Sequence, residues 1–361
     1  MQEKLPVAVI GMGGFGRIML EALQAGDLTQ VVGVADRDPL TAERAGREYR
    51  VAAFTDNRRL LAEARPRAVY LAVPPAAAVD IVMACAERGI HVWKELPLAR
   101  SLSEAHVLVE RMSQAKLKFA VGTQWRFRTS YRRAAQVRAR LGQVFLARTH
   151  YLFNWGPDLG WRGDRATAGG GALLELGYHC VDLLTWMLGL PEEVFCRCAG
   201  GNRAYATRCD DQPRPVYDTD DTAATVLQYA NGCMASVVTT RSSGPVSEEL
   251  SVHGREGSLK ADSQNCLLRD ADGNVLNSVV DQSPPMELFR RQVEAFARAV
   301  IADAPKYQCS AWENLLNQAV LDVMYLSDRT CQPESPARLM ATCGLSVEQC
   351  LSCRPLENAP D

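Results

Sequence analysis

Residues 7–16 read VAVIGMGGFG, and this stretch decides the fold of the N-terminal half of the chain. A short β-prone run at 7–10 meets glycines in the spacing G-x-G-x-x-G, and residues 18–23 have apolar positions at helical spacing. A strand, a glycine turn and a helix in this order predict a dinucleotide-binding βαβ unit, because glycines let the backbone approach a pyrophosphate and free amides at the helix start attract phosphate. The predicted phosphate-binding residues are Gly11, Gly13, Gly14, Phe15 and Gly16.

A second apolar run, residues 31–35, ends in an acidic residue, Asp36. It stands about twenty residues after Gly16, where a βαβ unit places the acid that binds the adenine ribose. A carboxylate at this position favours NAD, since it repels the 2′-phosphate of NADP. The neighbouring Arg37 can pair with that phosphate, so we expect NAD as the cofactor and leave NADP open.

Strand-like and helix-like segments continue to alternate up to residue 121. The run AVYLAV at 68–73 ends at two prolines, a helical segment follows, and residues 90–93 form another apolar run. Such alternation predicts a parallel sheet with helices on both faces. We therefore expect a doubly wound α/β domain over residues 1–122.

The pattern changes after Gly122. A basic helix is predicted at 126–141 and a strand at 144–151, followed by an apolar helix. Short β-prone runs separated by turns such as Asn231-Gly232 come next and predict a mostly antiparallel sheet. We expect a second α/β domain with an open sheet over residues 123–330.

Two amphipathic helices, at 289–300 and 315–326, close this domain, and we expect them to pack back on the first one. Residues 331–361 are predicted to be an irregular tail. Cys350 and Cys353 have the C-x-x-C spacing of some zinc sites, but the other cysteines lack a regular spacing. We expect reduced cysteines and no metal.

The composition excludes several classes of partner. A formal net charge of −2 over 361 residues argues against nucleic acid and anionic membrane surfaces, both of which favour a basic excess. No apolar stretch reaches the roughly 18 residues of a membrane helix, and the first residues lead into a strand without a signal-peptide core. We expect a cytoplasmic protein with a small-molecule substrate.

Three ionisable residues in the segment ELGYHCVD are candidates for acid–base chemistry. Glu175, His179 and Asp182 stand at i, i+4 and i+7, which is one stripe of a single helix, with Val181 and Leu184 on the opposite, packed side. A histidine titrates near neutrality, and an adjacent carboxylate orients it and raises its basicity. A structural helix with a satisfied histidine is the alternative.

The segment HVWKELPLAR at 91–100 offers a further candidate, Lys94. Alternation along a strand puts Lys94 and Leu96 on one side and Glu95 on the other. A partly desolvated amine close to a nicotinamide can hold or take a proton. The alternative is a salt-bridged lysine at a sheet edge.

Taken together, these segments resemble the glucose-fructose oxidoreductase, inositol dehydrogenase and rhizopine catabolism (Gfo/Idh/MocA) family over residues 5 to about 330. The resemblance implies a Rossmann domain followed by an α/β domain whose open sheet often forms the oligomer interface, and hence a homo-oligomer, dimer or tetramer. It also implies hydride transfer between NAD(P) and a secondary alcohol of a sugar or polyol. The further cofactor contacts that it implies are Val73, Pro74, Glu95 and Gln124.

From these residues and the resemblance together we assign substrate and catalytic roles. His179 is the expected acid or base, Glu175 its orienting group or a hydroxyl acceptor, and Lys94 an electrostatic helper. The implied substrate contacts are Arg126, Trp161, Arg162, Asp164, Tyr178 and Asp182. We expect selectivity to reside in the loops at 154–165 and 205–217.

The chain departs from the family pattern at three positions. The histidine that often follows the proline near Ala78 is absent. Leu96 stands where the pattern Glu-Lys-Pro has its lysine, and Glu175 stands where aspartate is usual. These departures keep two other functions open: a non-catalytic regulator that binds dinucleotide and sugar, and a redox-assisted glycosidase or eliminase for which Tyr178 is available.

Overall fold

The computed structural model of the protein describes residues 4–156, 158–200 and 217–352. Its first sheet has the strand order β3-β2-β1-β4-β5-β6, and every pairing is parallel. The strands are β1 (Leu5–Ile10), β2 (Thr29–Ala35), β3 (Ala53–Phe54), β4 (Ala68–Leu71), β5 (His91–Lys94) and β6 (Phe119–Val121). The helices of this part are α1 (Gly14–Ala25), α2 (Pro39–Tyr49), α3 (Asn57–Glu63), α4 (Pro75–Glu87) and α5 (Leu102–Gln114). This is the predicted doubly wound Rossmann sheet.

The second sheet has the order β14-β13-β12-β11-β7-β10-β9-β8. Its strands are β7 (Val144–Asn154), β8 (Glu193–Ala199), β9 (Thr222–Gln228), β10 (Met234–Thr240), β11 (Ser242–Gly254), β12 (Gly257–Ala261), β13 (Asn265–Asp270) and β14 (Val275–Val280). Strands β7 and β10 pair in parallel, and the other pairings are antiparallel. The prediction of a mostly antiparallel sheet is therefore confirmed.

Eight helices complete the part of the chain that the structure describes. They are α6 (Thr129–Val137), α7 (Arg165–Ala168), α8 (Ala172–Glu175), α9 (Gly177–Leu188), α10 (Pro285–Ile301), α11 (Ala311–Thr330), α12 (Pro336–Thr342) and α13 (Val347–Ser352). Short 3-10 helices occupy Gln124–Phe127, Arg138–Leu141 and Gly160–Gly163. The single basic helix predicted at 126–141 is wrong, since it consists of two 3-10 turns on either side of α6.

Helices α10 and α11 connect the two sheets. Phe296 of α10 packs edge-on against Tyr70 of β4 and Trp93 of β5, with ring centroids 5.9 and 5.4 Å away. Helix α11 packs against α5 of the first part and against α9 and β8 of the second. These two helices therefore contact both parts of the chain, and the domain boundary after residue 122 stays a prediction because they serve both sheets.

The prediction of an irregular tail is wrong for residues 336–352. Helices α12 and α13 lie against α11, and Met340 and Cys350 are fully buried there. The sequence of the tail shows no helical periodicity because each helix is short. Each contributes only one or two apolar side chains, which pack on the surface of α11. In the part of the chain that the structure describes, no helix combines the length and the apolar character needed to cross a membrane.

Candidate active site

The glycine turn after β1 lies where the strand order reverses between β1 and β4. Gly11 has a φ of 92°, and a Cβ built on it would lie 2.2 Å from the carbonyl oxygen of Ala72. A Cβ on Gly16 would lie 1.7 Å from the carbonyl oxygen of Gly11, so both positions require glycine. Gly13 and Gly14 have open space where a Cβ would stand, and α1 begins at Gly14. A pyrophosphate can therefore approach this backbone closely.

Asp36 directly follows β2 and turns toward the glycine loop. Its Oδ2 accepts a hydrogen bond from the Met12 backbone N–H at 2.7 Å, which fixes the carboxylate beside the turn. Arg37 is exposed. Phe15 is also exposed and meets the ring of Phe289 on α10 edge-on, with centroids 6.0 Å apart. The acid predicted to bind the ribose is thus preorganised at the end of the crevice.

Polar side chains with free atoms stand at the ends of β5 and β6. Within the described residues, Glu95 Oε1, Thr123 Oγ1 and Gln124 Oε1 are buried and have no hydrogen-bond partner. Burial raises the pKa of Glu95 to about 8, although the adjacent lysine opposes the rise. Val73 and Pro74 are half-buried in the loop after β4. Buried polar atoms without partners usually meet water or a ligand, and this set fits the ribose hydroxyls and carboxamide of a nicotinamide nucleotide.

A small pocket of about 10 Å³, room for about one water molecule, lies beyond β5. Its lining residues are Leu96, Pro97, Trp161, Arg162, Ala168, Gly170, Leu174 and Glu175. Arg162 Nε donates to Glu175 Oε1 at 2.7 Å. The guanidinium carbon lies 4.1 Å from the ring centroid of Trp155 and 4.5 Å from that of Trp161. Burial raises the pKa of Glu175, and the charge of Arg162 opposes that rise.

His179 lies on α9 under an aromatic cover. Its imidazole stacks on Trp125 with centroids 4.8 Å apart and planes inclined by 17°, and Tyr151 meets it edge-on at 5.9 Å. Among the described residues, its buried Nδ1 has no hydrogen-bond partner. Burial, followed by the charge of Arg128, lowers the pKa of His179 to about 3. The imidazole is therefore neutral at pH 7 and able to accept a hydrogen bond.

The prediction that Glu175, His179 and Asp182 lie on one stripe of a single helix is wrong. Glu175 is the last residue of α8, Leu176 separates the two helices, and the other two residues lie on α9. Helix α9 is buried on nearly every side, since the sheet, α8 and α11 surround it. The three side chains consequently have three different environments.

Lys94 is turned away from the cavity. Strand β5 ends at Lys94, so the alternation that should have placed Lys94 and Leu96 on one side does not extend that far. Lys94 is 1% exposed, and its Nζ donates to the carbonyl oxygens of Glu95 at 3.0 Å and Pro97 at 2.5 Å. Burial lowers its pKa to about 8. Leu96, in contrast, lines the cavity.

Two residues expected to bind substrate pair with each other instead. Arg126 donates from Nε and Nη2 to Asp182 at 2.8 and 2.7 Å, and from Nη1 to Glu313 at 2.7 Å. Asn317 also donates to Asp182, at 2.7 Å, and Tyr178 donates its hydroxyl hydrogen to Asn314 of α11 at 3.1 Å. These side chains are buried. Their position indicates that they fasten α9 and the 3-10 helix Gln124–Phe127 to α11 rather than contact a substrate.

Asp164 likewise has a structural position. Its Oδ1 accepts from the Ala166 backbone N–H at 3.0 Å and caps α7. Asp220, which the sequence did not single out, performs the corresponding task for α8: Oδ1 accepts from Gly171 N–H and Oδ2 from Leu173 N–H, both at 2.8 Å. The glycine run is thus a close-packed entry into α8.

Several important residues were missed by the sequence reasoning. Trp125 stands between Gln124 and Arg126, two residues that the resemblance singled out, and its aromatic character was the available signal. Glu313 and Asn317 carried no local signal, since Arg126 and Asp182, their partners, are distant in the chain. Trp155 lies seven residues before its partner Arg162, within the predicted selectivity loop at 154–165. The predicted selectivity loop at 205–217 lies outside the described residues except for Tyr217. The described residues contain no cluster of three or more His, Cys, Asp or Glu side chains suited to a metal, and Cys353 lies outside them.

Comparisons with known proteins agree with this architecture. The family model "Oxidoreductase family, NAD-binding Rossmann fold" matches residues 5–123, and "GFO/IDH/MocA C-terminal domain" matches residues 131–260. The D-xylose 1-dehydrogenase (NADP(+)) 2 of Haloferax volcanii is 28% identical over 337 residues, which are 89% of this chain and 97% of that protein. The scyllo-inositol 2-dehydrogenase (NAD(+)) of Bacillus subtilis is 24% identical over 313 residues, 83% and 87% of the two chains.

A solved structure of levoglucosan dehydrogenase in complex with NADH and L-sorbose superposes with a TM-score of 0.84 at 21% identity, covering 92% of this chain and 99% of that one. This likeness concerns the fold. Together with the two family models, it leads to one conclusion. The chain belongs to the Gfo/Idh/MocA family of NAD(P)-dependent oxidoreductases, with the NAD-binding Rossmann domain at residues 5–123.

Proposed function

We propose that this protein is a dehydrogenase that oxidises a secondary alcohol of a neutral sugar or polyol, or reduces the corresponding ketone. The observation that carries the proposal is the Glu175–Arg162 pair in a cavity that Leu96 and Pro97 line directly after β5. The carboxyl ends of β1, β4 and β5 form the dinucleotide crevice, so the cavity adjoins the expected place of the nicotinamide. The sugar and inositol dehydrogenases among its relatives support the substrate class.

The cofactor supplies the hydride chemistry when it is bound. The chain must position one carbinol and manage one proton. We assign the proton to His179, whose neutral imidazole accepts a hydrogen bond from the hydroxyl group. Negative charge that develops on the substrate oxygen raises the low pKa of this imidazole, so it becomes a stronger base as the reaction proceeds. Glu175 accepts a hydrogen bond from a neighbouring hydroxyl through Oε2.

A panel of polyols, aldoses and ketoses tests this function, with NAD and NADP each supplied and the nicotinamide absorbance followed. We expect the wild-type protein to turn over at least one panel member. In His179→Ala that turnover should fall by at least about a hundredfold. Binding of dinucleotide and sugar with no turnover of any member would refute the proposal and favour the regulator. Release of a sugar leaving group without net change in absorbance would point to the redox-assisted glycosidase.

We also propose that the protein is a homo-oligomer built through the outer face of the second sheet. Phe195, Val226, Met234 and Val238 on β8, β9 and β10 are exposed, although large apolar side chains in such a group are normally covered. Val226 is paired with Phe195 on one side and with Ser236 on the other. Light scattering after gel filtration tests this: we expect a dimer or tetramer that Val226→Lys dissociates. A monomeric wild-type protein would contradict it.

A further inference from the structure

Several positively charged side chains surround the proposed substrate site. When a hydroxyl group loses its proton, negative charge grows on the oxygen, and a nearby fixed cation lowers the energy of that state. The cationic side chains around α8, α9 and the end of β5 include Lys94, Arg126, Arg128, Arg162 and Arg241. Which of them is free to act is decided by their partners.

Four of these five are held by other groups. Arg128 Nη1 donates to the Ser263 carbonyl oxygen at 3.2 Å, and its Nη2 lies 3.5 Å from Glu248 Oε1. Lys94 Nζ donates to two backbone carbonyls, and all three nitrogens of the Arg126 guanidinium group are bonded to carboxylates. Arg241 is 3% exposed, and its Nε donates to Asp221 at 2.7 Å. Its Nη atoms donate to the Arg162 carbonyl oxygen and to Thr219. These cations hold the scaffold.

Arg162 differs from them. It lines the cavity, its Nε is held by Glu175, and within the described residues its Nη1 and Nη2 make no hydrogen bond. The indole rings of Trp155 and Trp161 lie 4.1 and 4.5 Å from its guanidinium carbon and fix its plane. The two remaining donors are therefore preorganised and available.

We propose that Arg162 is the electrostatic catalyst of this site, donating from Nη to the substrate oxygen as it is oxidised. This rests on the proposed dehydrogenase function. In the oxidative direction the O–H bond breaks and its proton passes to His179, the C–H bond breaks and its hydrogen leaves as hydride to the oxidised nicotinamide, and the carbinol becomes a ketone. Arg162 stays protonated throughout and is not a proton donor.

The Glu175 partner also sets the charge of substrate that the site accepts. A lone guanidinium group would favour a sugar acid by bidentate pairing with its carboxylate. Here the carboxylate of Glu175 lies 2.7 Å from Arg162 Nε and makes the pair neutral overall, while the four N–H groups on Nη1 and Nη2 and the second carboxylate oxygen of Glu175 are left for a substrate. Such a set matches adjacent hydroxyl groups of a neutral polyol, with one accepting and one donating. Sugar acids are therefore expected to be poorer substrates than the matching neutral sugars.

The test is a double-mutant cycle on the panel substrate that the wild-type enzyme turns over. Arg162→Gln should lower kcat/KM by about a hundredfold to a thousandfold, the usual loss of one donor to a developing oxyanion. Leu96 lines the same cavity, so Leu96→Lys added to Arg162→Gln should restore at least about tenfold, since it returns a cation to the cavity. Arg165→Gln is the matched control, because Arg165 is exposed on α7 and does not line the cavity.

A pH profile separates this role from a merely structural one. Arg162 opposes the rise that burial causes in the pKa of Glu175, with a smaller contribution from Arg241. Removing Arg162 should therefore move the acid limb of the kcat/KM profile to higher pH, and Arg162→Lys should move it less.

Three results would overturn the inference. They are a loss below about threefold in Arg162→Gln, a large loss that neither Leu96→Lys nor Arg162→Lys reduces, and a preference for sugar acids over neutral sugars. If the wild-type protein turns over no panel member, the proposed function itself fails. If wild-type turnover is normal and only the variants behave otherwise, the role of Arg162 alone is refuted.

Discussion

Replacing Arg126 by methionine should strongly destabilise the protein. Arg126 makes three hydrogen bonds of 2.7–2.8 Å to the buried carboxylates of Asp182 and Glu313, which are 1% exposed as side chains. Removing one partner of a buried ion pair costs about 3–5 kcal/mol, because the other charge remains desolvated. At about 2 °C per kcal/mol for a chain of this size, the melting temperature should fall by about 6–10 °C.

The loss should also depend on pH. Burial raises the pKa of Asp182 and the charge of Arg126 opposes this, so the variant has a still higher pKa. A carboxyl group whose pKa is higher in the folded than in the unfolded state binds more protons when folded. Stability therefore declines as the pH rises from the unfolded pKa of about 3.9 through the raised folded pKa. The deficit of Arg126→Met should be larger at pH 8 than at pH 5.

Thermal melting followed by circular dichroism at pH 5 and pH 8 measures both effects. Arg140→Met is the matched control, since Arg140 is exposed in the 3-10 helix Arg138–Leu141. We expect the control to lie within about 0.5 kcal/mol of the wild-type protein. A deficit below about 1 kcal/mol for Arg126→Met, or one of equal size at both pH values, would refute the reasoning that Arg126 neutralises buried charge.

Three further predictions concern the cofactor, Lys94 and His179. Asp36→Ser removes the charge that repels a 2′-phosphate. The ratio of kcat/KM for NADP to kcat/KM for NAD should therefore rise by at least about tenfold. An unchanged ratio would show that Asp36 does not contribute to recognition of the adenosine. Lys94→Met leaves two backbone carbonyls without their donor, so the free energy of unfolding in a urea titration should fall by about 1–3 kcal/mol. A fall in turnover at unchanged stability would instead indicate a catalytic role for Lys94. Trp125→Ala exposes His179 to water, so the pKa of His179 should rise from about 3 toward about 6.5 in an NMR titration. The spectrum of His179→Gln assigns the resonance. An unchanged pKa would mean that the Trp125 ring does not cause the desolvation of His179.

The parts of the fold that follow from local pattern were predictable from the sequence. The glycine spacing and the following acid at Asp36 report a βαβ unit, because each element is short and its residues are adjacent in the chain. The tail was misread since α12 and α13 depend on the surface of α11, which no local periodicity reveals. Tertiary packing decided these helices.

The site shows the same division. His179 and Glu175 were identified as candidates because their spacing within one segment is informative. The partners of Arg126 and Lys94 were not predictable, since Glu313 is far away in sequence and the turn after β5 redirects the Lys94 ammonium group to the main chain. Residue type identifies candidates, but the fold determines what each charge faces.

The packing of α10 across the first sheet has a practical consequence for anyone who isolates the Rossmann half. Phe296 covers Tyr70 and Trp93, and Val293 accepts the Tyr70 hydroxyl hydrogen bond through its carbonyl oxygen at 3.1 Å. A fragment ending near residue 122 would lack helix α10 and would expose the rings of Tyr70 and Trp93 to water. Such a fragment should be prone to aggregation, and a version carrying residues 285–301 on a linker should be the better-behaved reagent.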